Sequence, residues 1–185
     1  ADLSRSLPNV RFVCPTAPMI NLTARQGAKV HAWFDFPSWD RDGNNKCTGV
    51  EESCDFVNSL IQKEVEKGVD PSKVILCGFS QGAGIAIHTG FGREVPIGGV
   101  ISLCGCLPND AMFTVKEQAK HTPVIMFHGT ADKHVPYEFI TQAATLLKEK
   151  GIEQVELNTY PAVKHKITRR MIDITRLFLE EKLGN

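Results

Sequence analysis

Gly78-Phe79-Ser80-Gln81-Gly82 follows the apolar run Lys73-Val74-Ile75-Leu76-Cys77 and leads into a small-residue segment, Ala83 to Thr89. That pattern reads as strand, sharp turn and helix, with a serine at the apex. A G-x-S-x-G turn needs glycine on both sides of the serine, because its backbone is strained and the helix must pack closely on the strand. The hydroxyl then stands at the carboxyl edge of a sheet beside a helix N-terminus, where backbone N–H groups can receive a developing oxyanion. The pentapeptide alone would also suit an ordinary βα turn. The flanking strand and helix patterns favour the nucleophile reading.

A serine hydroxyl is a poor nucleophile until a base removes its proton, so an acid and a histidine are expected at the ends of later strands. Pro123-Val124-Ile125-Met126-Phe127 has the pattern of a fully buried parallel strand and runs into His128-Gly129-Thr130-Ala131-Asp132. Val155 to Tyr160 reads as the next strand and ends in Pro161-Ala162-Val163-Lys164-His165. Ser80, Asp132 and His165 therefore follow one another in a chain order known for such triads. The chain has six histidines. His134 lies two residues past Asp132 on the same loop and is disfavoured as the base. His128 closes a buried strand and reads as a packed or hydrogen-bonded residue, and His31, His88 and His121 show no acidic or nucleophilic partner in the pattern. An Asx turn at Asp132 before Val135-Pro136 is compatible with the catalytic role.

The length of 185 residues and an apolar content of 42% suit one domain, 1–185, with one well-buried core. With 21 basic against 21 acidic residues, no field draws in nucleic acid. No stretch approaches the length of a membrane span and no signal-peptide pattern is visible, so a cytoplasmic protein is expected. The six cysteines, several within apolar strands, suit reduced packing thiols. Cys104-Gly105-Cys106 lacks the second pair a zinc site needs, so no metal is expected.

Strands are expected at Val10 to Cys14, Ile97 to Leu103 and the three runs above. Helices are expected over Val50 to Gly68, Pro136 to Lys150 and Lys166 to Leu183. Alternating strands and helices call for an α/β fold, a mostly parallel sheet covered on both faces with its active site at the carboxyl edge. The stretch from Pro15 to Gly49 reads as a long irregular loop carrying Trp33, Phe34, Phe36 and Trp39, and loops of that length are usually functional.

Pro15-Thr16-Ala17-Pro18, Ala32-Trp33-Phe34-Asp35, the elbow at Ser80, Ser102-Leu103-Cys104-Gly105-Cys106-Leu107-Pro108, His128 to Asp132 and Tyr160-Pro161 before His165 stand in one order along nearly the whole chain. In this the sequence resembles the phospholipase/carboxylesterase family of α/β-hydrolases, which includes acyl-protein thioesterases and lysophospholipase-like proteins. The resemblance implies a serine hydrolase that cleaves fatty-acyl thioesters or esters without a cofactor, most directly an acyl-protein thioesterase. It implies Ser80, Asp132 and His165 as the triad, the backbone N–H of Gln81 as half of the oxyanion hole, and Trp33 and Phe34 as the acyl-site lining. An acylated protein or small acyl ester is the implied partner, with transient contact at a membrane surface. A short-chain carboxylesterase or lysophospholipase, and a non-catalytic structural relative, are the alternatives.

Two departures from the family pattern carry expectations. A strand ending in His-Gly-x-Gly-Asp, which supplies the other oxyanion donor, has no counterpart upstream of Val10. The piece amounts to about one βα unit, roughly 30 residues. The domain is thus expected to be incomplete at its N-terminal side, unless a segment within 1–10 or 15–49 takes the place of that strand. Lys164, beside His165, stands where the family often has a small or apolar residue, and is expected to point outward to solvent.

Overall fold

The computed structural model describes residues 3–38 and 46–184. Trp39 lies outside them. In chain order the elements are α1 (Leu3–Ser6), β1 (Met19–Leu22), β2 (Ala28–His31), α2 (Val50–Glu66), β3 (Ile75–Phe79), α3 (Gln81–Phe91), β4 (Gly99–Leu103), β5 (Val124–Gly129), α4 (Tyr137–Glu149), β6 (Val155–Tyr160) and α5 (Arg169–Leu183). Strands β3, β4, β5 and β6 form a parallel sheet in that spatial order, with Ile75 opposite Gly99, Val100 opposite Val124 and Val124 opposite Val155.

The two central strands are buried along their whole length, which is why they read as continuous apolar runs instead of alternating ones. Their side chains still alternate between two cores. Val100, Val124 and Met126 face Ile87 and Phe91 of α3 and Ile140, Ala143 and Leu147 of α4. Ile101, Leu103, Ile125 and Phe127 face Met171 and Leu179 of α5, with Leu7 closing that side. Helices on both faces leave the carboxyl edge of the sheet as the open side where loops collect. A third apolar cluster, Phe34, Cys47, Val50 and Ile85, joins the segment before α2 to α3.

Two features differ from the sequence reading. Part of the segment read as irregular is a hairpin: β1 and β2 pair antiparallel from Met19 opposite His31 to Leu22 opposite Ala28. Its turn uses Gln26 and Gly27, both at positive φ. Val10 to Cys14 forms no strand; it runs largely exposed, because no described strand lies beside it to complete a ladder. Among the described residues β3 lies at the edge of the sheet. Among the described residues nothing takes the place expected beside it: 3–6 is helical and 19–31 forms its own two-stranded sheet.

The β3–α3 connection is as tight as the glycine pattern demands. A Cβ on Gly78 would lie 2.1 Å from the carbonyl oxygen of Gly82, a backbone atom that cannot swing away, whereas one on Gly82 would meet only the Trp33 indole nitrogen at 3.3 Å. The two glycines therefore carry different weights. Gly78→Ala is expected to destabilise by about 3 kcal/mol or more, the range of severe overpacking. Gly82→Ala is expected to stay within about 1 kcal/mol, because a side chain can yield and alanine favours the helix. Urea unfolding of the two variants checks the contrast, and equal losses would contradict it.

Candidate active site

Ser80 occupies the turn with φ 54° and ψ −120°, a conformation that L-residues rarely adopt. Two constraints hold it there. Its own N–H donates to Leu103 O at 2.9 Å, continuing the sheet ladder one step past β3, and Ala83 N–H donates back to Ser80 O at 3.1 Å. Strain of this kind persists only where the surroundings over-determine it. Gln81 begins α3, so its N–H has no acceptor within the helix and remains available beside the serine.

Asp132 and His165 come from the ends of β5 and β6. Asp132 is buried, with no exposed side-chain surface. Its Oδ1 accepts from the N–H groups of His134 at 2.8 Å and Val135 at 2.9 Å, the Asx turn expected for this loop, while Oδ2 pairs with His165 Nδ1 at 2.6 Å. His165 Nε2 then lies 3.1 Å from Ser80 Oγ. The imidazole is flanked by Phe79 and His134, with ring centroids at 4.8 and 5.2 Å. The three residues singled out in the sequence thus form one hydrogen-bonded chain, and the His134 side chain is not part of it.

The other histidines are accounted for locally. His128 is fully buried; its Nε2 lies 2.8 Å from Val135 O, and burial lowers its pKa, so the neutral ring donates to that carbonyl and fixes the Asp132 loop. His88 also has its pKa lowered by burial and bonds Pro108 O at 2.6 Å. His31 Nδ1 sits 2.7 Å from Ala17 O. His121 has an acidic partner that sequence did not reveal, Glu153 at 2.9 Å, contributed by a segment over 30 residues away.

Trp33 and Phe34 differ from each other. Phe34 is 2% exposed and sits in the apolar cluster beneath its segment, so it supports the segment from inside. Trp33 is half-buried, rests against Gly82 and faces Phe56 of α2, itself 42% exposed, at 6.3 Å between ring centroids. Phe56 extends this aromatic surface, and only its place on a helix whose other face is buried could have signalled it.

A second contribution invisible in sequence is the side chain of Gln81. Its Oε1 accepts from Trp33 N–H at 3.0 Å and its Nε2 donates to Phe34 O at 3.0 Å. Ser53 Oγ donates to the intervening Trp33 carbonyl. One residue therefore sets a backbone N–H beside Ser80 and clamps the aromatic segment with its amide.

Among the described residues one group has donors close enough to share a metal ion. The ligating atoms of Cys104, Asp132 and His165 lie within 4.8 Å of one another. Burial and the neighbouring Asp132 charge push the Cys104 thiol to about 11, and His165 Nδ1 is already bonded to Asp132. A cation would have to displace both arrangements, so these residues suit a hydrogen-bonded acid–base pair better than a resident ion.

The phospholipase/carboxylesterase family model matches residues 1–183. The chain belongs to the phospholipase/carboxylesterase family. It is similar to acyl-protein thioesterase 1 of Emericella nidulans, 34% identical over 92% of this chain and 76% of that protein. It also resembles acyl-protein thioesterase 1 homolog 1 of Dictyostelium discoideum, 31% identical over 97% of this chain and 80% of that one. Among solved structures, SOBER1 of Arabidopsis thaliana superposes with a TM-score of 0.89 at 29% identity, covering 96% of this chain and 86% of SOBER1. Membership makes the protein an α/β-hydrolase.

The Gln81 clamp generates a prediction. Gln81→Ala removes two hydrogen bonds and is expected to cost about 1–3 kcal/mol in urea unfolding, with a change in indole fluorescence as Trp33 loosens. Gln81→Glu is expected to lose at least as much, since a carboxylate cannot donate to Phe34 O. Wild-type stability in both variants would mean that the clamp carries nothing.

Proposed function

We propose that the protein is a serine hydrolase of fatty-acyl thioesters and esters, acting as an acyl-protein thioesterase through Ser80, His165 and Asp132. The observation that carries the reading is the continuous chain from Ser80 Oγ to His165 at 3.1 Å and on to Asp132 at 2.6 Å. The thioesterase names of the relatives support the substrate class. The likeness to SOBER1, named a carboxylesterase in Arabidopsis thaliana, favours a carboxylesterase as the second reading, with the same residues and a different acyl site.

In the first step His165 takes the proton of Ser80 as its oxygen attacks the acyl carbonyl. Asp132 holds the ring in the tautomer that leaves Nε2 free and stabilises the imidazolium. The oxyanion meets the Gln81 N–H at the start of α3, where the helix dipole adds to the effect. When the tetrahedral species collapses, His165 gives its proton to the departing thiol or alcohol. Water then adds to the acyl-enzyme by the same route, releasing the acid and restoring Ser80. Trp33, with Phe56 beside it, offers apolar surface to the acyl chain. The proposed unit is one α/β-hydrolase domain working in the cytoplasm on acylated proteins, in transient contact with membrane surfaces. No described helix is long and apolar enough to cross a membrane.

Two measurements test the reading. On an octanoyl thioester, His165→Ala is expected to lower kcat by about a thousandfold or more, the usual cost of losing a triad member, and His134→Ala by less than about tenfold. Similar losses in both would overturn the assignment of the base. Along a series of p-nitrophenyl esters, kcat/KM is expected to rise well over tenfold as several methylenes are added, each worth up to about 0.8 kcal/mol when buried. Trp33→Ala should flatten that rise, and a profile already flat beyond butyrate would favour the short-chain carboxylesterase.

A further inference from the structure

An open cavity of about 450 Å³ lies beside the candidate triad, lined by Arg25, Lys133, His134 and Pro136. Three sources of positive potential meet there. Arg25 ends the short 3-10 helix that follows β1, Lys133 follows Asp132 directly, and Pro136 is the N-cap of the thirteen-residue helix α4, whose first N–H groups have no acceptor within the helix. Among the described residues no carboxylate lines the cavity. Glu138, in the first turn of α4, is exposed and lies outside its wall, and neither Arg25 nor Lys133 has an ion-pair partner among the described residues.

The position of the cavity matters as much as its charge. Its His134 wall stands with its ring 5.2 Å from that of His165. In the two-step reaction the leaving thiol or alcohol must come within hydrogen-bond reach of His165 Nε2 to collect its proton. Whatever is attached to that atom therefore lies near this pair of rings and within reach of the cationic cavity.

We propose that this cavity binds an anionic group carried by the leaving part of the substrate, so that the site prefers acyl thioesters and esters whose thiol or alcohol bears a phosphate, sulfonate or carboxylate. The inference rests on the hydrolase reading above and adds a charge preference on the leaving-group side. The preference arises from Arg25, Lys133 and the amino end of α4, on two segments more than 100 residues apart in sequence.

Octanoyl thioesters of 2-mercaptoethanesulfonate, 2-mercaptoethanol and 2-mercaptoethyltrimethylammonium share one acyl chain and differ in the charge beyond the sulfur. Hydrolysis of each transfers the acyl group to water and releases the free thiol, which is the quantity measured. At low ionic strength kcat/KM is expected to fall in the order sulfonate, neutral, ammonium. The outer two should differ by about tenfold, a difference of about 1.4 kcal/mol. The spread should narrow in about 0.5 M salt, where the screening length is only a few ångströms.

Arg25→Glu combined with Lys133→Glu should invert the order, and Arg25→Lys should preserve it. Because each reading is a ratio within one variant, a general loss of activity does not mimic the effect. Binding of the same three thioesters to Ser80→Ala gives the ranking without turnover. Ranked binding with no turnover by the wild type would support the cavity and overturn the hydrolase. Turnover and binding that ignore charge, or a ranking unmoved by the double reversal, would overturn the cavity and leave the hydrolase standing.

Discussion

Everything in the site descends from how closely the backbone of β3 approaches that of α3. With a Cβ at residue 78 placed 2.1 Å from Gly82 O, the chain has room to turn only if residue 78 has no side chain, and turning there drives Ser80 to φ 54°. The same closeness recurs around the elbow. A Cβ on Gly105 would fall 2.4 Å from that of Ala83, and one on Gly84 2.6 Å from Pro108 Cδ. The loop after β4 is thus pressed against the first turns of α3, and the serine is held by backbone on both sides. A nucleophile so held spends little entropy reaching its attacking geometry.

The second device is the way the strand ends are tied together. Ser80 N–H donates to Leu103 O, Cys104 N–H to Phe127 O, and Thr130 N–H to Tyr160 O, at 2.9, 2.8 and 3.0 Å. Each strand thus hands its first loop residue to its neighbour before the chains diverge. The loops carrying Asp132 and His165 leave from a common line, and the proposed triad inherits its spacing from the parallel register. Asp132 is then locked by its Asx turn and by His128 beneath its loop, so the carboxylate that orients His165 has little freedom. Gln81 ties the aromatic segment to the same elbow.

The parts legible in sequence are those governed by local pattern. Buried strands β4 and β5 show as apolar runs, α4 and α5 as amphipathic periods ending at Gly151 and Gly184, and the elbow as two glycines around a serine. What was not legible depends on partners far along the chain. Val10 to Cys14 has the residues of a strand but no described neighbour to pair with, and pairing decides a strand more than propensity does. Met19 to His31 forms a hairpin through the turn at Gln26 and Gly27, a signal hidden by reading the prolines and aromatics around it as loop. Phe34 and Trp33 are adjacent in sequence yet point to different environments, and the Gln81 clamp joins residues 47 and 48 positions apart.

The claim on which the functional account turns is that Ser80 is an activated nucleophile, and reaction with a fluorophosphonate probes it directly. A folded sample should take up one equivalent of label, mapped to Ser80, with labelling suppressed by excess octanoyl thioester and slowed strongly in His165→Ala. A folded protein that takes up no label, or whose label maps to another residue, would contradict the account and favour a hydrolase-like structural protein.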